Sequence, residues 1–411
     1  MSSTYPGSAP GSSYRVASVG LTRDVNRAAI FRMIGTSGPI ARATIARRLQ
    51  LSPATVTSVT RQLLDQGLVR VADRSQSARG RPSLLLELVG GAAGAFGAKV
   101  AADHVVGVRV DLEAELVERY EAPFDATAPD ALDRLAALLG GWISASEIDT
   151  PLLGVGLGVS GVVDAVSGTV DSPLLGWRHV GLVAHLQEQL GLPVFADNDV
   201  NTLAVSERLY GRGRDSENFV TVTLGRGIGL GIIAGGDIYR GSGGGAGEFG
   251  HTAAVEGGPL CTCGKRGCLE AVAADPALVL EGRRAHLLRR DQGIDRLRQL
   301  AEQGNPRAQA IFAAAGTVLG RAVANLAVIL NPELVLISGE GTQAWPHVAP
   351  SFDAAFRAGL FAPLGDVRVE VDPWDEAKWA IGAASLVLRA SFAAPFDHSS
   401  RSTDVPVGVV A

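Results

Sequence analysis

Three cysteines, Cys261, Cys263 and Cys268, are all that a chain of 411 residues contains, and they fall in the stretch GHTAAVEGGPLCTCGKRGCLE from Gly250 to Glu270. Nine residues separate His251 from the first of them, so one nitrogen and three sulfurs are offered within eighteen residues. That is a complete tetrahedral donor set for zinc. Gly264 and Gly267 permit turns tight enough for three sulfurs to meet one ion. With all four positions supplied by protein, no position stays open for water, and the spacing predicts one structural zinc per chain. Surface thiols without a role would not be confined to one loop, and the absence of C-x-x-C argues against a redox pair. An odd, clustered set of thiols is not the paired framework of a secreted domain, so a reducing cytoplasm is expected.

The length predicts two or three units able to bury their own cores. The opening MSSTYPGSAPGSSYR is rich in Ser, Gly and Pro and lacks the apolar core of a signal peptide, so residues 1–20 are expected to be a disordered tail. No run approaches twenty uninterrupted apolar residues, and no membrane partner is expected. Charge is divided unevenly. Residues 21–90 hold eleven Arg and no Lys against four acids, a net +7, which leaves −12 for the remainder of a chain whose total is −5. Such asymmetry suggests that one end meets a polyanion.

That basic end, NRAAIFRMIGTSGPIARATIARRLQLSPATVTSVTRQLLDQGLVRV, reads as three short helices with apolar residues three and four apart. Gly35 to Pro39 breaks the first from the second, Ser52-Pro53 supplies an N-cap and N1 proline for the third, and Gly67 closes it. Two helices across a short turn make a helix-turn-helix, whose second helix faces base edges with its N-terminal residues. Here those are Ser52, Thr55, Thr57 and Ser58, with Arg61 one turn on. The following LVRVADRSQSARGRPSLLLEL alternates like two strands around an arginine-rich loop, a wing that would set Arg74, Arg79 and Arg81 beside phosphates or in a minor groove. Residues 21–90 are therefore expected to be a winged helix-turn-helix domain. A helical interaction module with a solvated arginine face is the alternative, in which Thr57 and Arg61 are merely structural.

From residue 91 strand-like segments such as LLGVGLGVSGVV, NFVTVTLGRGIGLGIIAGG and ELVLISGEG alternate with helical ones such as DALDRLAALLGGWISAS and PRAQAIFAAAGTVLGRAVANLAVIL. That alternation predicts an α/β architecture with ligands near strand ends.

GEFGH followed by CTCGKRGCLE resembles the signature of the ROK family of sugar-responsive repressors and sugar kinases, and GLPVFADNDVNTLAVSE is similar to its Asn-Asp sugar site. With the winged helix, the resemblance spans about residues 22 to 392. It implies two actin- or hexokinase-like α/β lobes with sugar in the cleft: lobe I over 91–203, completed by about 377–393, lobe II over 204–376 with the zinc loop and an oligomerisation surface, and a polar tail over 394–411. It further implies that Asn198, Asp199, Glu248, His251 and Glu270 form the sugar site, Asp199 matching the catalytic base of the kinases and His251 shared with zinc. The residue types suit that role, since carboxylates accept from vicinal hydroxyls and Asn both donates and accepts. Kinases of the family open their first strand with D-x-G-G-T; this chain has Lys99-Val100-Ala101-Ala102-Asp103 there. The first phosphate loop is thus dismantled, while LGRGIGLGI keeps its glycines with Arg226 in place of a small hydroxyl residue. No enzyme activity is expected. The leading expectation is a sugar-responsive repressor of carbohydrate uptake or catabolism genes, a homodimer or homotetramer on an inverted repeat of duplex DNA. An ATP-dependent sugar kinase with an auxiliary DNA-binding domain, and a zinc-stabilised assembly protein, are the alternatives.

Overall fold

The computed structural model describes residues 19–72, 84–364 and 367–393. They divide into two compact units, one holding the described residues up to Glu87 and from Ser391 on, the other Leu88–Ala390.

The first unit runs α1 (Val19–Ser37), β1 (Ile40–Ala41), α2 (Arg42–Arg48), α3 (Pro53–Asp65), β2 (Val69–Val71) and β3 (Leu85–Leu88), its strands ordered β1-β3-β2. At 19 residues α1 is longer than the short helix its sequence suggests. It stops where Gly38 turns to φ 68° ahead of Pro39. The Ser52 side chain accepts from the Thr55 N–H at 3.1 Å, so α3 starts where the local cap dictates. Val56, Val59 and Leu63 follow at helical spacing and are buried, as are Ile30, Ile34 and Ile45. Arg42 Nε donates to buried Thr60 Oγ1 at 2.8 Å and ties α2 to α3. Gly67, at φ 69°, releases the chain into β2. Arg74, Arg79 and Arg81, expected on the wing, lie outside the described residues.

The second unit builds one plan twice. Its first half comprises β4 (Gly94–Val100), β5 (His104–Asp111), β6 (Leu116–Pro123), α4 (Ala131–Ala145), β7 (Leu152–Val159), β8 (Val162–Asp164), β9 (Thr169–Ser172), β10 (Trp177–Val180), α5 (Leu182–Leu190), β11 (Val194–Asn198) and α6 (Asp199–Leu209). Its second half comprises β12 (Phe219–Leu224), β13 (Ile228–Ala234), β14 (Asp237–Ile238), α7 (Glu270–Ala273), α8 (Asp275–Arg284), α9 (Ile294–Glu302), α10 (Pro306–Leu330), β15 (Leu334–Ser338), α11 (Trp345–Gly359), β16 (Arg368–Val371) and α12 (Ala377–Ala393). The sheets are ordered β11-β7-β4-β5-β6 and β14-β13-β12-β15-β16. In each, an antiparallel meander of three strands gains two parallel strands beside its first. The expected lobe boundary at residues 203 and 204 falls inside α6.

Close backbone approach explains several strand glycines. A methyl built on Gly97 of β4 would stand 2.0 Å from the Ala380 carbonyl oxygen, and one on Gly156 of β7 1.9 Å from that of Ala383. So α12 lies directly on the first sheet. Its Leu386 also joins the buried cluster of Ala204, Val205, Phe219, Ile233 and Leu334, which links α6 and α12 to the second sheet. Among the described residues α10 alone is long and apolar enough to cross a membrane; Phe312, Leu319 and Val323 on it are buried in the second core.

Candidate functional site

In an open α/β sheet ligands bind in the crevice beyond the carboxyl ends of parallel strands. On the first sheet β4, β7 and β11 end together, with Lys99 opposite Gly158 and Asn198 opposite Val159. Asn198 closes β11 and caps α6. Its Oδ1 accepts from the N–H groups of Val200 at 2.9 Å and Asn201 at 3.4 Å, and its Nδ2 donates to Gly161 O at 2.9 Å. One amide hydrogen is left over from these bonds. Asp199, 8% exposed, accepts from Val200 N–H on Oδ1 and from Ser160 Oγ at 2.9 Å on Oδ2. The Lys99 ammonium pairs with that same Oδ2 and lies 5.1 Å from the centre of the Trp379 ring. Beneath them buried Asp197 accepts from Arg240 Nε at 2.7 Å and Asn201 Nδ2 at 2.9 Å, pinning β11 to the chain beyond β14.

The opposite wall comes from a short turn at Phe249–His251 and from the start of α7. Glu248 lies just before that turn, 3.9 Å from His251 Nε2. Burial pushes its carboxyl above the usual range, His251 opposes, and the charges of Glu270 and Asp199 add to the rise. The Glu248 carboxyl thus senses the charges of His251, Glu270 and Asp199 together. Glu270 Oε2 accepts from the Ile228 N–H at 3.3 Å, so its carboxylate bears on the β12–β13 turn.

The other ring nitrogen of His251 faces the thiols. Nδ1 is 3.5 Å from Cys261 Sγ, Cys263 Sγ is 3.6 Å from Cys268 Sγ, and all four donor atoms lie within 4.8 Å of one another. Tetrahedral zinc with metal–sulfur bonds of about 2.3 Å spaces its ligand atoms by about 3.5–3.8 Å, so the donor set fits such an ion. Backbone turns hold it: Cys261 N–H donates to Lys265 O at 2.8 Å and Gly264 N–H to Cys261 O at 3.0 Å. Desolvation, and then crowding by Cys263 and Cys261, pushes the Cys268 thiol up to about 11, a penalty that a bound cation reverses. This His/Cys group could hold a metal ion.

On the first unit Ser52, Thr57, Ser58 and Arg61 are exposed and Thr55 is half-buried. The Ser52 and Thr55 hydroxyls bond each other at 2.8 Å, and Thr57 Oγ1 donates to Pro53 O at 2.7 Å. Sequence reasoning overlooked Ser160 and Trp379 at the cleft, and Arg47 and Arg48, both exposed in the last turn of α2. For Ser160 a signal existed: a lone hydroxyl residue at the end of the strand LLGVGLGV.

Residues 96–390 match the model of the ROK family. The chain belongs to the ROK family. Residues 25–80 match the MarR family, and the first unit is accordingly a winged helix-turn-helix. Among ROK proteins the chain is similar to the DNA-binding transcriptional dual regulator NagC of Escherichia coli K12, 31% identical over 93% of this chain and 96% of that one. It is also similar to the xylose repressor of Bacillus subtilis strain 168, 28% identical over 85% and 91%. Its fold matches a ROK family transcriptional regulator described as a homolog of the E. coli MLC protein, with a TM-score of 0.80, 24% identity and coverage of 91% and 97%. A ROK glucokinase from Streptomyces griseus, solved with glucose and AMPPNP, matches over 71% of this chain and 98% of its own at TM-score 0.64 and 28% identity. Of these four, the three that cover 85% or more of the chain are regulators or repressors, and the kinase covers 71% of it.

Proposed function

We propose that this protein is a cytoplasmic transcriptional repressor that leaves its operator when a sugar or sugar derivative enters the cleft beyond β4, β7 and β11. The carrying observation is the Lys99–Asp199 pair. A carboxylate already holding an ammonium and the Ser160 hydroxyl would have to break that pair to take a proton from a sugar hydroxyl, so Asp199 is poor as a catalytic base yet well fixed as an acceptor. Relatives named for N-acetylglucosamine and for xylose support a sugar effector without choosing one.

In this reading Asn198 offers its remaining amide hydrogen, and Asp199, Glu248 and Glu270 accept from ligand hydroxyls. His251, Cys261, Cys263 and Cys268 would hold one structural zinc, which when bound fixes the imidazole through Nδ1. The proton then resides on Nε2, and the ring presents a donor toward Glu248 and the sugar. On the winged helix Ser58, Thr57 and Arg61 face the groove, while Ser52 and Thr55 chiefly hold the start of α3. An even-numbered homo-oligomer would present two such helices to an inverted repeat. The sugar must bind the released conformation better than the DNA-bound one, since equal affinity would shift nothing.

The test is a DNA titration on the gene's own upstream region at fixed salt, with and without a panel of sugars and their phosphates. Specific binding weakened at least about tenfold by one sugar is the expected result; specific binding unmoved by the whole panel would sink the effector reading. Incubation with the same sugars and ATP is expected to release no ADP, and turnover abolished by Asp199→Asn would establish a kinase instead.

A further inference from the structure

The second sheet obeys the same rule as the first. Its parallel strands β12 and β15 end side by side, Thr223 opposite Ser338, and the crevice beyond them is where such a sheet takes a ligand. Glycine lines both sides. Gly225-Arg226-Gly227 turns between β12 and β13 below the Leu224–Ile228 pair, and Gly339-Glu340-Gly341 follows β15. Gly339, at φ 91°, lies so close that a methyl on it would stand 2.4 Å from the Leu224 carbonyl oxygen. Backbone N–H groups in a turn of this kind form a concave donor set suited to anions.

Here the chain's own carboxylates engage those donors. Glu340 Oε1 accepts the Arg226 N–H at 3.1 Å, Glu270 Oε2 accepts the Ile228 N–H at 3.3 Å, and the Gly225 N–H turns inward to Gly227 O at 3.1 Å. The Glu340 carboxylate lies against Gly225 so closely that a methyl there would meet Oε1 at 2.1 Å. Behind it stands Asp275, whose N–H donates to Gly225 O at 2.9 Å. Burial first, then the charges of Glu340 and Asp295, pushes the Asp275 carboxyl up to about 6, against the pull of Arg298. A phosphate approaching this turn would meet carboxylates where the amides point.

We infer that Glu340 is a built-in occupant of the second crevice, its carboxylate filling the anion position on the Gly225–Gly227 turn and shutting it to phosphate-bearing ligands, nucleoside polyphosphates above all. A similar chain does bind one, since the glucokinase was solved in complex with glucose and AMPPNP. The consequence for a sensor is direct. A nucleotide present at about ten times its dissociation constant fills roughly nine-tenths of its sites, so an open crevice would be occupied whatever the sugar. Closure from within leaves the first crevice as the one that responds.

The full-length protein and its Glu340→Gly and Glu340→Gln variants would be titrated calorimetrically with ADP and with AMPPNP, and melted in parallel. Wild type is expected to bind neither at millimolar nucleotide. Glu340→Gly is expected to bind ADP at least about tenfold more tightly than wild type; Glu340→Gln, which keeps an acceptor on the Arg226 amide but loses the charge, should fall between. Wild type binding ADP as tightly as Glu340→Gly would overturn the inference, and so would a Glu340→Gly protein that melts like wild type yet binds no nucleotide. Should Glu340→Gly fail to fold, Glu340→Gln decides: a gain over wild type supports the inference and a well-folded variant without gain refutes it. The DNA and sugar titration on the same samples keeps this outcome separate from that of the repressor reading.

Discussion

Lys99 and Asp199 are separated by 100 positions in the chain and pair in a nearly dry site, with side-chain exposures of 14% and 11%. Forming such a pair yields little net stability, because both ions lose water, but removing one partner strands the other and typically costs 3–5 kcal/mol. Lys99→Met is therefore expected to lower the unfolding free energy by about 3 kcal/mol at neutral pH. Adding Asp199→Asn to that variant should restore most of the loss, because the stranded charge is then gone, and urea unfolding of both single variants and the double would measure the non-additivity. Additive losses would show that the pair is not what holds the site. The sequence marks Lys99 only as the residue that dismantles a phosphate loop. Its partner was beyond reach there, since nothing local connects β4 to the start of α6.

At the scale of elements, what is local was legible and what depends on a neighbour was not. Ser52-Pro53 names the start of α3 because a cap bonds within three residues. LLGVGLGVSGVV reads from sequence as a strand, but nothing local says why Gly154, Gly156 and Gly158 stand inside β7. Gly156 is there because the backbone of α12 needs the space, and α12 is some 220 positions later in the chain. A methyl at Gly156 would stand 1.9 Å from Ala383 O and 2.6 Å from its carbonyl carbon, both backbone atoms that cannot rotate away. Gly156→Ala is thus expected to destabilise by about 3 kcal/mol or more, at the upper end of overpacking costs. Gly141 on α4 makes the contrast: an added methyl there meets nothing within 4 Å, and Gly141→Ala should stabilise by about 0.5–1 kcal/mol. Thermal melting that ranked the two variants alike would remove α12 as the reason for the strand glycines.

Across the whole molecule the charge division pointed to the winged-helix end and the cysteine spacing to the His/Cys group that could hold a metal ion, whereas the doubled plan of the second unit was legible only through the family resemblance, not through repeated residues. Its two halves repeat strand order, not residues, and each repeats the crevice that order creates. In the first crevice Asn198 keeps one amide hydrogen beyond its bonds to Gly161, Val200 and Asn201; in the second the Glu340 carboxylate takes the Arg226 amide. On the proposed reading a sugar would act on DNA affinity from the first crevice, through geometry, with no charge of its own if it is neutral. That has a consequence in salt. DNA affinity falls with salt in proportion to the number of phosphates contacted, by about 10³ or more between 50 and 200 mM for six to ten contacts. If sugar parts the two winged helices so that one half-site is lost, the sugar-bound form contacts fewer phosphates and its salt slope is shallower. The ratio of affinities without and with sugar should then shrink as salt rises, and titrations at three or more salt concentrations would measure it. A ratio independent of salt would mean that all phosphate contacts survive and that sugar withdraws only the base-facing residues of α3, Thr57 and Ser58 among them.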